Sequence, residues 1–255
     1  MQFVLPLFLC FSALAAEEIH PATYAALIAE LADDTVRWNA TLAWDQLRHA
    51  GPEAREELEL GLRSPDHQQR MLCAAVMWQR FPDNASAQLL EVSVEALAAD
   101  DIPWDGTHYL PLANATRSMR FLHGYVSAGP SAELLLLLEN ALLTGDAQQQ
   151  FCAAFLLGCA GSSEHAERIV EILAPHLGTN AIDGDASTAA HALLRTGTAA
   201  IPALERARTR ADPQAVILID YLLAGIAGER ARSVGALKLI RNPHARTPLI
   251  MVPNR

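Results

Sequence analysis

The chain contains one long internal repeat. Residues 50–75 read AGPEAREELELGLRSPDHQQRMLCAA, and residues 128–154 read AGPSAELLLLLENALLTGDAQQQFCAA. Both copies pass from Ala-Gly-Pro through a leucine-rich stretch to an Asp, a Gln-Gln pair and Cys-Ala-Ala. The Gly-Pro pairs lie 78 residues apart and the cysteines 79, so the copies differ by one residue in length. Such self-similarity predicts a fold built by stacking similar units.

The turn residues of the repeat indicate that each unit is a helical hairpin. Gly51 follows one helical pattern and Pro52 opens the next, which suits a left-handed glycine past a helix end and a proline in a first turn. Pro65 blocks continuation of the second helix, and Asp66 can accept the unpaired N–H groups that begin another. Helices of about 12 residues cannot bury an apolar side alone, so neighbouring hairpins are expected to stack. That side is formed here by Ala54, Leu58 and Leu62.

These features resemble the HEAT-like repeat family over residues 34–228. In that family the first helix commonly reads D-x-x-V-R-x-x-A-x-x-x-L, and a Gly-Pro joint leads into the second helix. The matching residues are Asp34, Val36, Arg37, Ala40 and Leu47 before Gly51-Pro52, Asp66, Arg70 and Ala74 in the next unit, Asn114 and Arg117 in the one after, and Gly197, Ala200, Ile201, Pro202 and Leu204 further on.

The resemblance implies an all-α fold, a right-handed α-solenoid of about five HEAT-like helical hairpins with N- and C-terminal caps. In the family the second helices form the concave surface, and an Asp–Arg ladder usually joins neighbouring hairpins. Gln150 and Val216 stand where the family often has Arg, so the later hairpins are expected to lack the ladder. The role that the resemblance implies is the binding of another macromolecule, above all a protein.

The sequence divides into three parts: a predicted signal peptide at 1–16, a repeat domain at 17–228 with an inserted loop at 100–111, and a basic tail or cap at 229–255. A capping helix is predicted at 19–32. An apolar helix is predicted at 213–226, well buried and with Asp220 at its solvent edge. The hairpins between them pair 34–48 with 52–63, 66–80 with 86–99, a helix from near 112 or 114 to 126 with 130–143, 146–157 with 164–177, and 185–195 with 198–209.

The first 16 residues have an apolar core from Phe3 to Leu14 and a small-x-small cleavage site at Ala13-Leu14-Ala15. The apolar span is shorter than the roughly 20 residues of a membrane helix. We therefore expect a secreted or periplasmic protein with no integral membrane segment in the mature chain. The segment lacks Lys and Arg, which leaves a buried first helix as the alternative.

Three cysteines follow the predicted cleavage site: Cys73, Cys152 and Cys159. The first two occur in Cys-Ala-Ala, which is typical of small residues packed on the buried side of a helix. Cys152 and Cys159 are two helical turns apart, too far for a disulfide along one straight helix. The odd number leaves a bond between two chains open.

Charge is distributed unevenly along the chain. Residues 1–228 carry 28 acidic and 13 basic side chains, whereas residues 229–255 carry one acidic and six basic ones. An acidic body argues against nucleic-acid binding, which needs a basic surface. Acidic second helices would make the concave face acidic, so the predicted partner is a basic protein, bound more weakly as salt rises. The residues concerned are Glu53, Glu56, Glu57, Glu91, Glu95, Glu133 and Glu139.

The sequence carries none of the usual motifs for catalysis. It contains no His-Glu-x-x-His, no Gly-x-Ser-x-Gly, no phosphate-binding loop and no Gly-x-Gly-x-x-Gly. None of the nine histidines lies three or four residues from another, so no single helix offers two imidazoles to a metal. His165, His176 and His191 are therefore interpreted as isolated core or surface residues. We predict a non-catalytic protein-binding scaffold of the envelope or secreted space, with no cofactor and no metal.

Residues 100–111, DDIPWDGTHYLP, interrupt the repeat and supply the main alternative. Two prolines and an Asp-Gly pair predict a loop. It groups Trp104, Asp105, His108 and Tyr109, which either cover the end of a hairpin or contact a ligand. In the second case the protein is a small-molecule binder or a lyase-like enzyme, similar to the phycobilin lyases, which also use HEAT-like repeats.

The basic tail supports a third alternative, a structural module of an envelope assembly that docks through residues 229–255. The tail is interpreted as a packed cap, as an arm that meets an acidic partner or an anionic surface, or as a segment that folds back on the acidic body. Its sequence pattern leaves all three open.

Overall fold

The computed structural model describes residues 21–32, 37–83, 85–98, 114–178 and 185–228. Every regular element in these ranges is a helix and none is a strand, which confirms the all-α class. Within the same ranges no helix is both long and apolar enough to cross a bilayer. The predicted signal peptide, the inserted loop and the basic tail lie outside the described residues.

The helices lie close to the positions that the sequence predicts for helices. Short 3-10 turns at Pro52–Ala54, Ala174–Leu177 and Gly197–Ala200 adjoin α3, α9 and α11 respectively. The helices are α1 (Pro21–Glu30), α2 (Arg37–Leu47), α3 (Arg55–Gly61), α4 (His67–Arg80), α5 (Ala87–Glu95), α6 (Asn114–Ala128), α7 (Ala132–Thr144), α8 (Ala147–Ala160), α9 (Ala166–Leu173), α10 (Asp185–Thr196), α11 (Ile201–Arg208) and α12 (Pro213–Ile226).

The first helices of successive hairpins pack against one another in chain order. Helix α4 contacts α6, α6 contacts α8, α8 contacts α10 and α10 contacts α12. The second helices form a separate row, in which α5 contacts α7 and α9 contacts α11. One apolar cluster runs through the structure from Tyr24 in α1 to Leu222 in α12. The core is therefore shared between neighbouring units, as stacking requires.

Side-chain caps begin several of the helices. Asp66, which the sequence predicts to be a cap, accepts a hydrogen bond from the backbone N–H of Gln69 at 2.7 Å. Asp146 accepts the equivalent bond from Gln149, also at 2.7 Å. Each cap satisfies an N–H that the helix leaves unpaired, which is worth about 1 kcal/mol. Ser86, Ser131 and Asp212 cap α5, α7 and α12 in the same way.

The Gly-Pro joint differs from its predicted geometry in the first copy of the repeat. Gly51 has φ −76° and ψ −178°, an extended conformation open to any residue, so the predicted left-handed glycine is wrong there. Gly129, its counterpart, does take a positive φ of 117°. Pro52 begins a 3-10 turn, which leads into α3 at Arg55.

Helix α12 is less buried than its apolar sequence predicts. Ala215, Leu218, Ile219 and Leu222 are buried, but Ile217 is 42% exposed. The described residues place no further hairpin against the outer side of α12, which explains the exposure. Asp220 is exposed as predicted, and both of its carboxylate oxygens accept hydrogen bonds from the Arg208 guanidinium.

Candidate binding surface

The second helices are tied to one another by polar side chains. The Ser86 hydroxyl, at the start of α5, donates to the Glu59 carboxylate of α3 at 2.6 Å. The His165 ring, just before α9, lies 3.7 Å from the Glu139 carboxylate of α7. Arg206 of α11 pairs with Glu167 of α9. Successive second helices therefore lie side by side along the row.

Each second helix turns carboxylates outward. We call these exposed groups, together with three exposed leucines on α3 and α7, the acidic face. The leucines are Leu60, Leu136 and Leu143, which are 55%, 65% and 58% exposed. The carboxylates are Glu53 and Glu56 before and on α3, Glu91 on α5, Glu133 on α7, Glu167 and Glu171 on α9, and Glu205 on α11, with half-buried Glu57 beside them.

The predicted acidic residues divide into two groups in the structure. Glu95 binds Arg70 at 2.7 Å and the His67 ring at 3.1 Å, and Glu139 faces His165. These carboxylates join helices and are less available to a partner. Within the described part of the chain, Glu56, Glu57 and Glu133 form no ion pair, so their charge remains directed at solvent.

Glu53 has a structural contact of its own. Its carboxylate accepts a hydrogen bond from the Tyr24 hydroxyl of α1 at 2.7 Å. This bond, followed by backbone N–H bonds, holds the pKa of Glu53 below its ordinary value of 4.5. Glu53 therefore stays ionised in mildly acidic solution while remaining exposed on the acidic face.

The exposed leucines were missed by sequence reasoning, although a signal for them exists. Residues 134–138 are five consecutive leucines, and a helix of a stacked array buries a stripe only slightly more than 100° wide. Leu134 and Leu138 fill that stripe and are fully buried, whereas Leu136 lies on the opposite side. An unbroken leucine run in a surface helix therefore predicts exposed leucines as well as a core.

A cleft of about 680 Å³ lies between α4 and α6, on the side of the first helices. Its walls are aromatic: the Trp78 and Phe121 rings are 6.3 Å apart, and the Phe121 and Tyr125 rings are 5.0 Å apart. The Tyr125 hydroxyl donates to the Pro82 carbonyl at 2.7 Å and accepts from the Ala85 N–H, which joins α6 to the segment after α4.

Two arginines of α6 line the same cleft. Arg117 is partly desolvated and lies beside Arg120, and both effects lower the pKa of Arg117. Neither guanidinium forms an ion pair within the described residues, and Asp83 is the acidic group of the cleft lining. The cleft thus combines a stacking surface with positive charge.

The predicted loop residues Trp104, Asp105, His108 and Tyr109 lie outside the described residues. The segment that contains them ends where α6 begins, at Asn114, and α6 carries both cleft arginines. The chain order therefore places the predicted loop immediately before the helix that lines the cleft.

Two groups of side chains have the composition of metal ligands. Glu139, Glu164 and His165 form one, and their ligand atoms lie within 4.8 Å of one another. His123, Cys159 and His191 form the other, at the same separation. The sequence predicts neither, because the members of each group lie far apart along the chain: Glu139 on α7 meets the turn before α9, and the second group joins α6, α8 and α10.

Burial explains the titration of the second group. Desolvation raises the pKa of the Cys159 thiol to about 11, although the nearby Arg195 opposes the shift. Desolvation, followed by the charges of Arg195 and His123, lowers the pKa of His191. Cys73, Cys152 and Cys159 are buried thiols, as the sequence predicts, and burial raises the pKa of the Cys73 thiol to about 12.

Comparison of the sequence with protein-family models and with curated proteins gave no significant match. Function is therefore inferred from the surfaces of this chain and from the repeat pattern of its own sequence.

Proposed function

We propose that this protein is a non-catalytic protein-binding scaffold of the secreted or periplasmic space. Its hairpins form a right-handed α-solenoid of the HEAT-like kind, and the acidic face is the concave surface that binds a basic partner. The observation that carries the proposal is the acidic face itself: consecutive second helices expose carboxylates, with three exposed leucines among them. The packing of first helices on first helices and of second helices on second helices supports the solenoid.

The chemistry of the acidic face fits an amphipathic basic segment. Leu136 and Leu143 are separated by two helical turns, about 10 Å along α7, which matches the apolar anchors at positions i and i+7 of a partner helix. An exposed leucine that becomes buried when the partner binds stabilises the complex by roughly 25 cal/mol per Å² of apolar surface removed from water. Glu56, Glu57 and Glu133 would meet the Lys or Arg residues of the partner.

Electrostatic recognition of this kind depends on salt. Exposed charges are screened over a Debye length of about 8 Å at physiological ionic strength and about 3 Å at 1 M. Carboxylates and leucines should therefore contribute differently: the carboxylates raise the association rate and the salt dependence, whereas the leucines slow dissociation.

A synthetic helical peptide of Lys and Leu, with the leucines at i, i+3 and i+7, provides a defined test. Its binding to the full chain is measured by fluorescence anisotropy at 50 mM and 500 mM NaCl, beside a Glu-and-Leu peptide of the same pattern. We expect the basic peptide to bind and to weaken by at least about tenfold at high salt. Equal binding of the acidic peptide would contradict the proposal.

Matched variants locate the binding site. The triple variant Glu56→Gln, Glu57→Gln and Glu133→Gln should weaken the basic peptide and flatten its salt dependence, since it removes three charges from the acidic face. The control triple is Glu30→Gln, Asp45→Asn and Asp83→Asn, which removes three exposed charges from segments other than the second helices. If both triples weaken binding equally, only net charge matters and the acidic face is not the site.

Capture from the native envelope or secreted fraction then identifies the natural partner. A partner that is lost at high salt, and lost with the Gln triple at low salt, supports the scaffold. The loop variant Trp104→Ala, His108→Ala and Tyr109→Ala should still capture it.

The cleft between α4 and α6 favours a second function, the binding of a small organic anion, and with it the lyase-like alternative. Arg117 and Arg120 would hold the anionic group, and Trp78, Phe121 and Tyr125 would stack on the apolar part. The test is a thermal-shift screen of aromatic carboxylates and phosphates against the natural chain and Arg117→Gln. A ligand whose stabilisation is lost in Arg117→Gln and in the loop variant supports this function, and the absence of any such ligand argues against it.

A further inference from the structure

Three consecutive first helices bring one metal-binding side chain each to a single point. His123 lies on α6, Cys159 on α8 and His191 on α10, and their ring nitrogens and sulfur lie within 4.8 Å of one another. We propose that these residues form a Zn²⁺ site with three protein ligands and an open fourth position. The site lies on first helices, so it is independent of the acidic face.

The separation of the ligand atoms suits a small tetrahedral ion. Zn–N bonds of about 2.0 Å and a Zn–S bond of about 2.3 Å place tetrahedral ligand atoms roughly 3.3 to 3.6 Å apart. A separation at the 4.8 Å limit would need a contraction of about 1.2 to 1.5 Å. Side-chain rotation of His191, which is exposed, would supply part of it.

Neighbouring contacts hold two of the three ligands in place. The His123 ring stacks on Phe155, with centroids 5.6 Å apart and planes 19° apart, which restricts its orientation. A Cβ at Gly158 would lie 2.9 Å from the Ala192 Cβ, so glycine is needed for α8 and α10 to approach this closely beside Cys159. The Arg195 Nε donates to the Cys159 carbonyl at 3.3 Å, which ties the same two helices together.

The ligand types select the metal. A thiolate and two imidazoles suit zinc and exclude Ca²⁺ and Mg²⁺, which prefer oxygen ligands. Three protein ligands leave the fourth tetrahedral position for water, as in zinc sites that are open to an external ligand. Cys159 is buried and His191 is exposed, so the three ligands extend from the core to the surface.

The second group, Glu139, Glu164 and His165, does not carry the same inference. The His165–Glu139 ion pair already accounts for its geometry, and Glu164 is exposed. The His123, Cys159 and His191 group has no such explanation, since two imidazoles and a thiol have no ion pair to form with one another.

Cobalt provides the direct test, because Co²⁺ replaces Zn²⁺ and reports its ligands by absorption. The full chain, reduced and freed of metal by chelation, is titrated with Co²⁺ alone and then with Zn²⁺. We expect one equivalent of Co²⁺ to bind, with a thiolate-to-metal charge-transfer band in the near ultraviolet and the intense visible bands of tetrahedral cobalt. Zn²⁺ should displace it, and should raise the unfolding temperature by joining α6, α8 and α10.

Variants assign the ligands. Cys159→Ser should abolish the charge-transfer band, and His191→Gln should weaken Co²⁺ by at least about 100-fold, since loss of even an outer-sphere partner costs 10 to 100-fold. His191 is exposed, so His191→Gln remains informative if Cys159→Ser fails to fold. Cys152→Ser, on the same helix as Cys159, and His176→Gln are matched controls and should leave both signals unchanged.

Three results would overturn the site: no Co²⁺ or Zn²⁺ bound at micromolar metal, a charge-transfer band that survives in Cys159→Ser, or an unchanged affinity in His191→Gln. Tight binding of Cu⁺ without binding of Zn²⁺ would overturn the assignment to zinc.

Discussion

The two copies of the repeat, which span α3 with the start of α4 and α7 with the start of α8, share their backbone contacts and differ in their charges. Gln69 of α4 donates its side-chain amide to the Ile28 carbonyl of α1 at 2.7 Å. Gln149 of α8, at the same position of the repeat, donates to the Val94 carbonyl of α5 at 2.9 Å. In both copies a glutamine just inside a capped helix start therefore binds a main-chain carbonyl of the preceding helices.

The next residue shows the difference. Arg70 of α4 donates to the Ser64 and Pro65 carbonyls and binds the Glu95 carboxylate of α5 at 2.7 Å. Gln150 of α8 also donates to the carbonyl before its helix, that of Gly145, at 2.8 Å. Its other partner is Arg168 of α9, which donates to the Gln150 side-chain oxygen at 3.1 Å.

The arginine of this contact thus lies on the first helix, α4, in one case and on the second helix, α9, in the other. The arginine of the repeat pattern binds its own hairpin here, and the glutamine that replaces it keeps the bond to the turn and receives an arginine from the opposite helix. The side chain at this position must therefore donate a hydrogen bond to a main-chain carbonyl of the preceding turn. It can be charged or neutral.

Replacement of these two residues by Met should separate the charged contact from the neutral one. Arg70→Met removes two backbone hydrogen bonds and a half-buried ion pair, and should lower the free energy of unfolding by about 2 kcal/mol. Gln150→Met removes the hydrogen bond to the Gly145 carbonyl and the one from Arg168, but no ion pair, and should cost about 1 kcal/mol. Urea denaturation measures both, and amide exchange shows which hairpin loosens. Equal losses in the two variants would mean that the Arg70–Glu95 pair adds nothing.

The N-terminal helix caps Asp66 and Asp146 are the same in both copies of the repeat, so their replacement tests whether the two positions are equivalent. Asp66 and Asp146 each accept one N–H bond at 2.7 Å, so Asp66→Ala and Asp146→Ala should each cost about 1 kcal/mol. Asp66→Asn and Asp146→Asn retain an acceptor oxygen and should cost clearly less. Urea denaturation measures the loss of unfolding free energy in each Ala variant. Losses that differ by more than twofold would show that the two repeat positions are not equivalent.

Local rules carried most of the fold. Asp66 as a cap, the prolines as helix boundaries and the spacing of apolar residues predicted the helices, because each depends on neighbours a few residues away. The left-handed conformation predicted for Gly51 is wrong because its backbone angles depend on how Pro52 and the 3-10 turn continue into α3. The burial predicted for α12 is wrong at Ile217, because the exposure of this side chain depends on what packs against the helix. The apolar character of the sequence alone does not determine that packing.

The candidate surfaces were only partly predictable for the same reason. Glu56 and half-buried Glu57 belong to a predicted helix, and their position beside the apolar stripe follows from the pattern of Leu58 and Leu62. His123, Cys159 and His191 lie 36 and 32 positions apart along the chain, and their meeting depends on the relative register of three helices, which no local spacing reveals. Contacts of that kind follow from packing of the hairpins.

The smallest expected effect concerns the position where the copies carry Glu53 and Ser131. Ser131 caps α7 by accepting the Leu134 N–H at 3.2 Å, whereas Glu53 accepts the Tyr24 hydroxyl. Tyr24→Phe should therefore raise the pKa of Glu53 towards 4.5, because the hydrogen bond to Tyr24 is the largest cause of its depression. The carboxyl carbon of Glu53, followed by NMR as pH is lowered, measures the shift.

The sign of the linked stability effect follows from that depression. A carboxyl whose pKa is lower in the folded state contributes stability above its unfolded pKa, and this contribution is lost as pH falls through the folded value. The stability difference between the natural chain and Tyr24→Phe should thus be largest at neutral pH and shrink in acid below 4.5. Tyr125→Phe, which loses hydrogen bonds to main-chain atoms only, is the control and should leave the titration of Glu53 unchanged. An unchanged Glu53 pKa in Tyr24→Phe would mean that backbone N–H groups alone hold the carboxylate, and that the two copies differ less at this position than their contacts indicate.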